Sequence, residues 1–224
     1  MVIASVHLAD VGIRALPSVL RGAPRAGAMP GLRHANVAIA APLRKVPIPG
    51  RVGYVAFWDD DAALDEFLSA PFAQTLSAGW SARLEPLRMH GAWPGMPATT
   101  PAGRSVDYDG PAVVATLART NMARVVPFLR TSAPAERAVL VAPGLVWATA
   151  MALPPFFSTV SLWTDAKSIL GYAYGQKQPA HSEAMAADTK QPFHRENAFI
   201  RFRPYDVRGS LEGKNPLPED ALGV

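Results

Sequence analysis

Apolar and polar positions alternate over residues 2–9, so the chain opens with a strand. Residues 13–20 then carry apolar side chains at helical spacing and stop at Arg21-Gly22-Ala23-Pro24. A second apolar run, residues 36–41, ends at Pro42, and Pro47, Pro49 and Gly50 make 46–53 a turn. Residues 52–58 read as a strand closing on Trp58. Asp59, Asp60 and Asp61 follow as an N-cap cluster for a helix over 62–68, since carboxylates at a helix start satisfy its free N–H groups. Residues 84–89 form a short strand before His90-Gly91-Ala92-Trp93-Pro94-Gly95.

Residues 96–109, rich in Pro, Thr and Gly, read as a linker, after which the same order of elements returns. Strands are expected over 113–119, 145–153, 157–163 and 199–202. Helices are expected over 122–129, capped by Asn121, and in broken form from 166 to about 190, with a loose tail from 214. Val55-Ala-Phe-Trp58-Asp-Asp60 matches Val160-Ser-Leu-Trp163-Thr-Asp165 at an offset of 105 residues. The Gly91/Gly95 pair returns as Gly209/Gly213 at an offset of 118, which places an insertion inside the second helical segment. Two copies of β-α-β-β-α-β predict an α+β fold: two tandem ferredoxin-like repeats forming a dimeric α+β barrel-type fold. The boundaries are 1–95 for the N-terminal half, 96–110 for the linker, 111–213 for the C-terminal half and 214–224 for the tail. A sheet with helices on one face only must cover its other face, and two such sheets packed together leave cavities against the helices or between the sheets.

Composition narrows the chemistry. Of 224 residues 49% are hydrophobic and none is cysteine, so a disordered chain, a disulfide framework, a thiolate metal site and a cysteine nucleophile are all excluded. The net charge of +4 is spread over dispersed arginines with no run beyond Arg44-Lys45, a pattern unlike a nucleic-acid-binding stripe. The first ten residues lack the basic start of a signal peptide, and no apolar run nears the ~20 residues of a spanning helix. A cytoplasmic protein is the expectation, peripheral to a membrane if its substrate is a lipid.

Glycine-rich phosphate loops, nucleophile elbows and H-E-x-x-H are missing. His181-Ser-Glu183 matches H-x-E, but the zinc-deaminase pattern also requires P-C-x-x-C. The histidines are His7, His34, His90, His181 and His194, and no two are three to five apart, so no helix offers a two-histidine clamp. A metal would have to be held by distant segments or by one axial residue, as haem iron is. One histidine breaks the repeat: His181 aligns with Ala73 when Gln178-Pro179-Ala180 is laid on Ala70-Pro71-Phe72. A residue kept in one copy only suggests one site per chain, in the second half.

Three stretches of that half resemble the spheroidene monooxygenase family: Phe157-Ser-Thr-Val-Ser-Leu-Trp163-Thr-Asp165, Ala180-His181-Ser-Glu183-Ala184, and Phe193-His194-Arg-Glu196-Asn197-Ala-Phe199-Ile-Arg201-Phe202. The likeness covers roughly residues 111–213, with weaker support from Trp58 and residues 84–95. It implies a haem-dependent oxygenase that oxidises an unactivated carbon of a carotenoid or other polyene chain. In that reading haem b is held by His181 as axial ligand, with His194 as the alternative, and Arg201 pairs with a propionate. A hydrophobic small-molecule substrate, an electron donor such as ferredoxin and a homodimer complete the implied partners. The chain departs from the family pattern where Phe193-His194 replaces Trp-Phe and Asn197 replaces an acidic residue, shifting the expected pocket toward a smaller or more oxygenated molecule. Two rival readings use the same fold: a cofactor-free monooxygenase or isomerase acting on polycyclic aromatic substrates, and a non-catalytic carrier of haem or another hydrophobic ligand.

Overall fold

The computed structural model describes residues 1–43, 48–102, 107–174 and 193–217. The first half contains β1 (Ile3–Asp10), α1 (Leu16–Gly22), β2 (Leu32–Pro42), β3 (Arg51–Trp58), α2 (Asp61–Ser69), α3 (Pro71–Leu76) and β4 (Trp80–Gly91). The second contains β5 (Ala112–Thr120), α4 (Val125–Leu140), β6 (Leu145–Leu153), β7 (Phe156–Trp163), α5 (Ala166–Tyr174) and β8 (His194–Gly209). The strands run β4-β1-β3-β2 in one half and β8-β5-β7-β6 in the other, each a ferredoxin-like sheet. Antiparallel seams β2–β6 and β4–β8 join the sheets into a closed eight-stranded barrel, which leaves no open edge.

Alternation along each strand sends one set of side chains inward. Val6, Val55, Leu84, Leu117, Val160 and Ile200 are among those filling the barrel. The opposite faces are covered by helices: Leu64, Phe67 and Leu76 pack outside the first sheet, and Ala166 and Ile169 pack around Trp163 outside the second. Full burial of each such large side chain stabilises the fold by roughly 1.5–3 kcal/mol.

The repeat read from the sequence is visible in the register. Trp58 pairs with Ile3 at one end of β3, and Trp163 pairs with Ala112 at the same end of β7. Gly91 and Gly209 end β4 and β8 with φ of 85° and 75°. A Cβ on Gly91 would strike the Asn197 carbonyl oxygen, and one on Gly209 the Gly79 carbonyl oxygen, so both positions need glycine. Beyond each glycine the chain folds into a barrel end: Trp93 and Met96 enter one, Leu211 and Leu217 the other.

Several elements outrun their expected lengths. β4 and β8 extend to 12 and 16 residues. The segment after Asn121 is a 3₁₀ turn, Met122–Arg124, capped by the Asn121 side chain and followed by α4, which continues through Pro134. Of the three aspartates, Asp60 caps α2 by accepting from the Ala63 N–H at 3.0 Å. Asp59 pairs with Arg33 and Asp61 with Arg83. Among the described residues no helix is long and apolar enough to cross a membrane.

Candidate functional site

His181 lies outside the described residues. Arg201 sits half-buried on β8 between Arg88 of β4 and Val114 of β5. Val114 belongs to the outward cluster that α5 covers around Trp163, so Arg201 occupies the outer face of the second sheet. His194 is the first residue of β8, with Nδ1 3.0 Å from Thr120 Oγ1 and its ring edge-on to Phe128 at 4.8 Å. Seven residue steps along the strand, roughly 23 Å at ~3.3 Å each, separate it from Arg201. The structure does not bring these two together.

It gathers a different cluster at one end of the barrel. Arg119, inward at the end of β5, donates from Nη1 to Glu196 Oε2 at 2.6 Å. Its Nη2 lies 3.1 Å from His34 Nε2. A guanidinium can only donate, so Nε2 accepts and the imidazole carries its proton on Nδ1. Burial, then the Arg119 charge, push the His34 pKa down, outweighing a hydrogen bond with Asn36 and the Glu196 charge that act upward. Trp93, 3% exposed, fills the space between: the Arg119 guanidinium carbon stands 5.2 Å from its ring centre, His34 6.2 Å and Phe156 5.9 Å.

The turn that carries Trp93 is fastened from below. Arg33 Nε donates to the Gly95 carbonyl at 2.6 Å, and Gly95 adopts a φ of 88° against His34, where a Cβ would come within 2.8 Å of the His34 Cβ. Trp93 Nε1, Asn36 Nδ2 and Ser158 Oγ are buried with no hydrogen-bond partner among the described residues. Asn36 and Ser158 stand one inward step beyond His34 and Phe156, the two rings that flank Trp93. Two of the three atoms are obligate donors.

The opposite barrel end shows what is particular here. His34 pairs with Phe57 as Trp147 pairs with Leu162, so Trp147 is the counterpart of His34. Trp80 of that end corresponds to Ala198 of this one, and the Trp80 and Trp147 rings fill it at 5.7 Å. The counterpart of Arg119 is Asp10, which holds Arg51 through bonds of 2.6 and 2.8 Å, while Glu212 adds a third at 2.9 Å. One end is sealed by tryptophans and a saturated ion cluster; the other keeps a neutral histidine beside buried donors. Extending the repeat through β2 and β6 would have matched His34 with Trp147, the signal that the tryptophan and glycine matches stopped short of.

A second polar group lies between the first sheet and its helices. His7 Nε2 is 3.0 Å from Ser5 Oγ, and Ser5 Oγ accepts from Trp58 Nε1 at 2.9 Å. Burial, with a smaller contribution from the Arg83 charge, pushes the His7 pKa down to about 4. The cavity beside it, lined by His7, Leu68, Gln74, Leu76, Ser81 and Arg208 among others, measures about 190 Å³. Ordinary ligand sites span roughly 300–1,000 Å³, so this space suits a small molecule only.

The chain is therefore an α+β barrel protein built from two ferredoxin-like units. No protein-family model matches it. It is similar to spheroidene monooxygenase of Rubrivivax gelatinosus, with 25% identity over 175 residues that cover 75% of this chain and 66% of that one. The resemblance read from the second half is thus met by a likeness over three quarters of this chain, which spans just under two thirds of the relative's length. Among solved structures, a candidate monooxygenase from Fusobacterium nucleatum subsp. nucleatum shows 10% identity over 96% of this chain and 98% of its own, at a TM-score of 0.42. A ferredoxin-fold protein from Listeria monocytogenes 4b F2365, described as related to antibiotic biosynthesis monooxygenases, shows 13% over 89% and 95% at 0.31. The heme-degrading enzyme LmHde of Listeria monocytogenes shows 11% over 88% and 98% at 0.30.

Proposed function

We propose that this protein is a monooxygenase-type oxidoreductase that uses haem to insert oxygen into a hydrophobic polyene or natural-product substrate. The observation that carries the reading is the likeness to spheroidene monooxygenase over 175 residues. Of the described residues, those outside the second sheet are compatible with haem. Val114, only partly buried, gives that face an apolar side chain beside Arg201, which offers a cation suited to a propionate. His181 would supply the axial nitrogen. Haem, when bound, supplies O₂ activation; the chain's own part is to hold the carboxylates, exclude water and orient the substrate. Asn197 lies on the same side of β8 as Arg201, a neutral polar group that favours a smaller or more oxygenated substrate than a bare carotenoid. Insertion of one oxygen atom into a C–H bond consumes O₂, two electrons and two protons and releases water, so an external donor such as a ferredoxin is required.

The second reading, a cofactor-free oxygenase, draws on His34. The Trp93 and Asn36 donors are groups able to receive a developing oxyanion, and the neutral His34 imidazole becomes a base once a substrate displaces Arg119 from its Nε2. Absorption of the purified full chain decides between the two. A Soret band, with O₂ uptake dependent on added reductant, is the expected result; a protein that consumes O₂ with substrate and shows no Soret band before or after haem addition overturns the haem reading.

A further inference from the structure

We propose that α4 is a membrane-surface helix, which docks the protein on anionic phospholipid through an outward apolar row bordered by arginine. Met122, Val126, Leu129, Leu140 and Val141 are between 43 and 78% exposed. Within α4, Val126 and Leu129 share a face and Leu140, eleven residues beyond Leu129, returns to it after three helical turns; Met122 in the preceding 3₁₀ turn and Val141 just past the helix end are the other two exposed apolar residues. Arg130 and Arg137, seven apart, form the neighbouring stripe, and Arg124 stands at the helix start. From 122 to 141 these three arginines face a single acidic residue, Glu136.

The outward row is not needed to hold the helix. Phe128 meets Phe157 and Phe193 on the inner side, Val139 packs toward the Trp163 cluster, and the Tyr172 hydroxyl donates to the Ala135 carbonyl at 3.1 Å. No residue of α4 is fully buried, and among the described residues none is seen to pack on its outward side. A helix with an apolar stripe and a cationic border partitions into the boundary between headgroups and acyl chains, and anionic lipid adds a Coulomb term for each arginine. The aliphatic stems of Arg130 and Arg137 lie along the apolar surface while their guanidinium groups stay among the phosphates.

A second copy of the chain fits this face poorly. An antiparallel two-fold pairing of the rows would set the arginine stripes of both copies against each other. Five side chains are also far fewer than the roughly 20–30 residues that a stable protein interface uses on each side.

Co-sedimentation of the full chain with phosphatidylcholine vesicles, with and without about one-third phosphatidylglycerol, tests the assignment. The protein should pellet with the anionic vesicles and be released in part by high salt. Arg130→Gln and Arg137→Gln should each weaken that binding roughly fivefold, the equivalent of about 1 kcal/mol per arginine. Leu129→Glu should abolish it, with an unchanged thermal midpoint because the side chain is exposed. Failure to pellet with anionic vesicles overturns the proposal, as does binding insensitive to both arginine variants. A concentration-dependent dimer that Leu129→Glu dissociates would assign the face to self-association instead.

Discussion

His34 Nε2 accepts from Arg119 Nη2 at 3.1 Å, and through this bond a side chain of the first half is tied to one of the second at a barrel end. The charge of Arg119 helps to keep the imidazole neutral. Arg119→Gln should raise the His34 pKa toward the ordinary value of about 6.5, since one of the causes that lower it is removed. A proton NMR titration of the His34 ring checks this; an unchanged midpoint would leave burial as the whole cause.

Trp93 offers a test of the buried donors. Trp93→Phe keeps an aromatic plug and removes an indole N–H that has no partner among the described residues, so it should cost less than about 1 kcal/mol. Trp93→Ala removes the plug and should cost roughly 3–5 kcal/mol. Urea unfolding of both variants supplies the comparison.

His7 makes stability depend on pH. Its folded pKa lies near 4, below the unfolded value of 6.5, so between these limits the unfolded chain binds the extra proton and stability rises with pH. Acidification from pH 7 to pH 4 should withdraw about 3 kcal/mol through this residue. His7→Gln should remove that part of the acid sensitivity and leave the part due to carboxylates, as seen in urea midpoints measured across the range.

The glycines that end β4 and β8 are not equivalent to glycines in open turns. Gly91→Ala and Gly209→Ala each combine a positive φ with a collision against a carbonyl oxygen and should destabilise by more than about 2 kcal/mol. Gly213→Ala has the same backbone region but open space around it and should cost only about 1–2 kcal/mol. Thermal unfolding should separate the pair from the single.

Haem content separates the two histidines offered as ligands. His181→Ala should lose the Soret band or weaken retention on gel filtration, while His194→Ala, whose ring already engages Thr120 and Phe128, should keep it. The reverse result would move the axial role to His194. Arg201→Gln should retain haem with a faster loss to an apo-acceptor protein.

The repeat was legible because its markers are large or conformationally demanding. Trp58 and Trp163 each close a strand and bury an indole whose N–H finds a serine, Ser5 for one and Ser161 for the other, both at 2.9 Å. The two serines sit on the same rung of the ladder but on opposite strands, Ser5 facing Ala56 and Ser161 facing Val114. Short apolar runs marked the strand centres and missed their ends. Arg203, Pro204, Asp206 and Arg208 break the apolar pattern of β8, yet pairing with β4 carries the strand through them. The cluster of His34, Arg119 and Glu196 was invisible for another reason. Its members are 85 and 77 residues apart along the chain: Arg119 and Glu196 meet as register partners of β5 and β8, and His34 reaches them because the first sheet closes on the second.

The two stoppered ends, Trp93 in one and the Trp80–Trp147 pair in the other, have a consequence for how such a ring can diversify. A ring assembled from two identical chains must carry every substitution at both ends. Here one continuous chain supplies both, so an exchange at position 34 leaves position 147 untouched. One end is free to serve as ballast for the fold while the other exchanges a tryptophan for a histidine, and the protein gains a polarity along the barrel axis that is closed to a pair of identical chains related by a two-fold axis across the barrel.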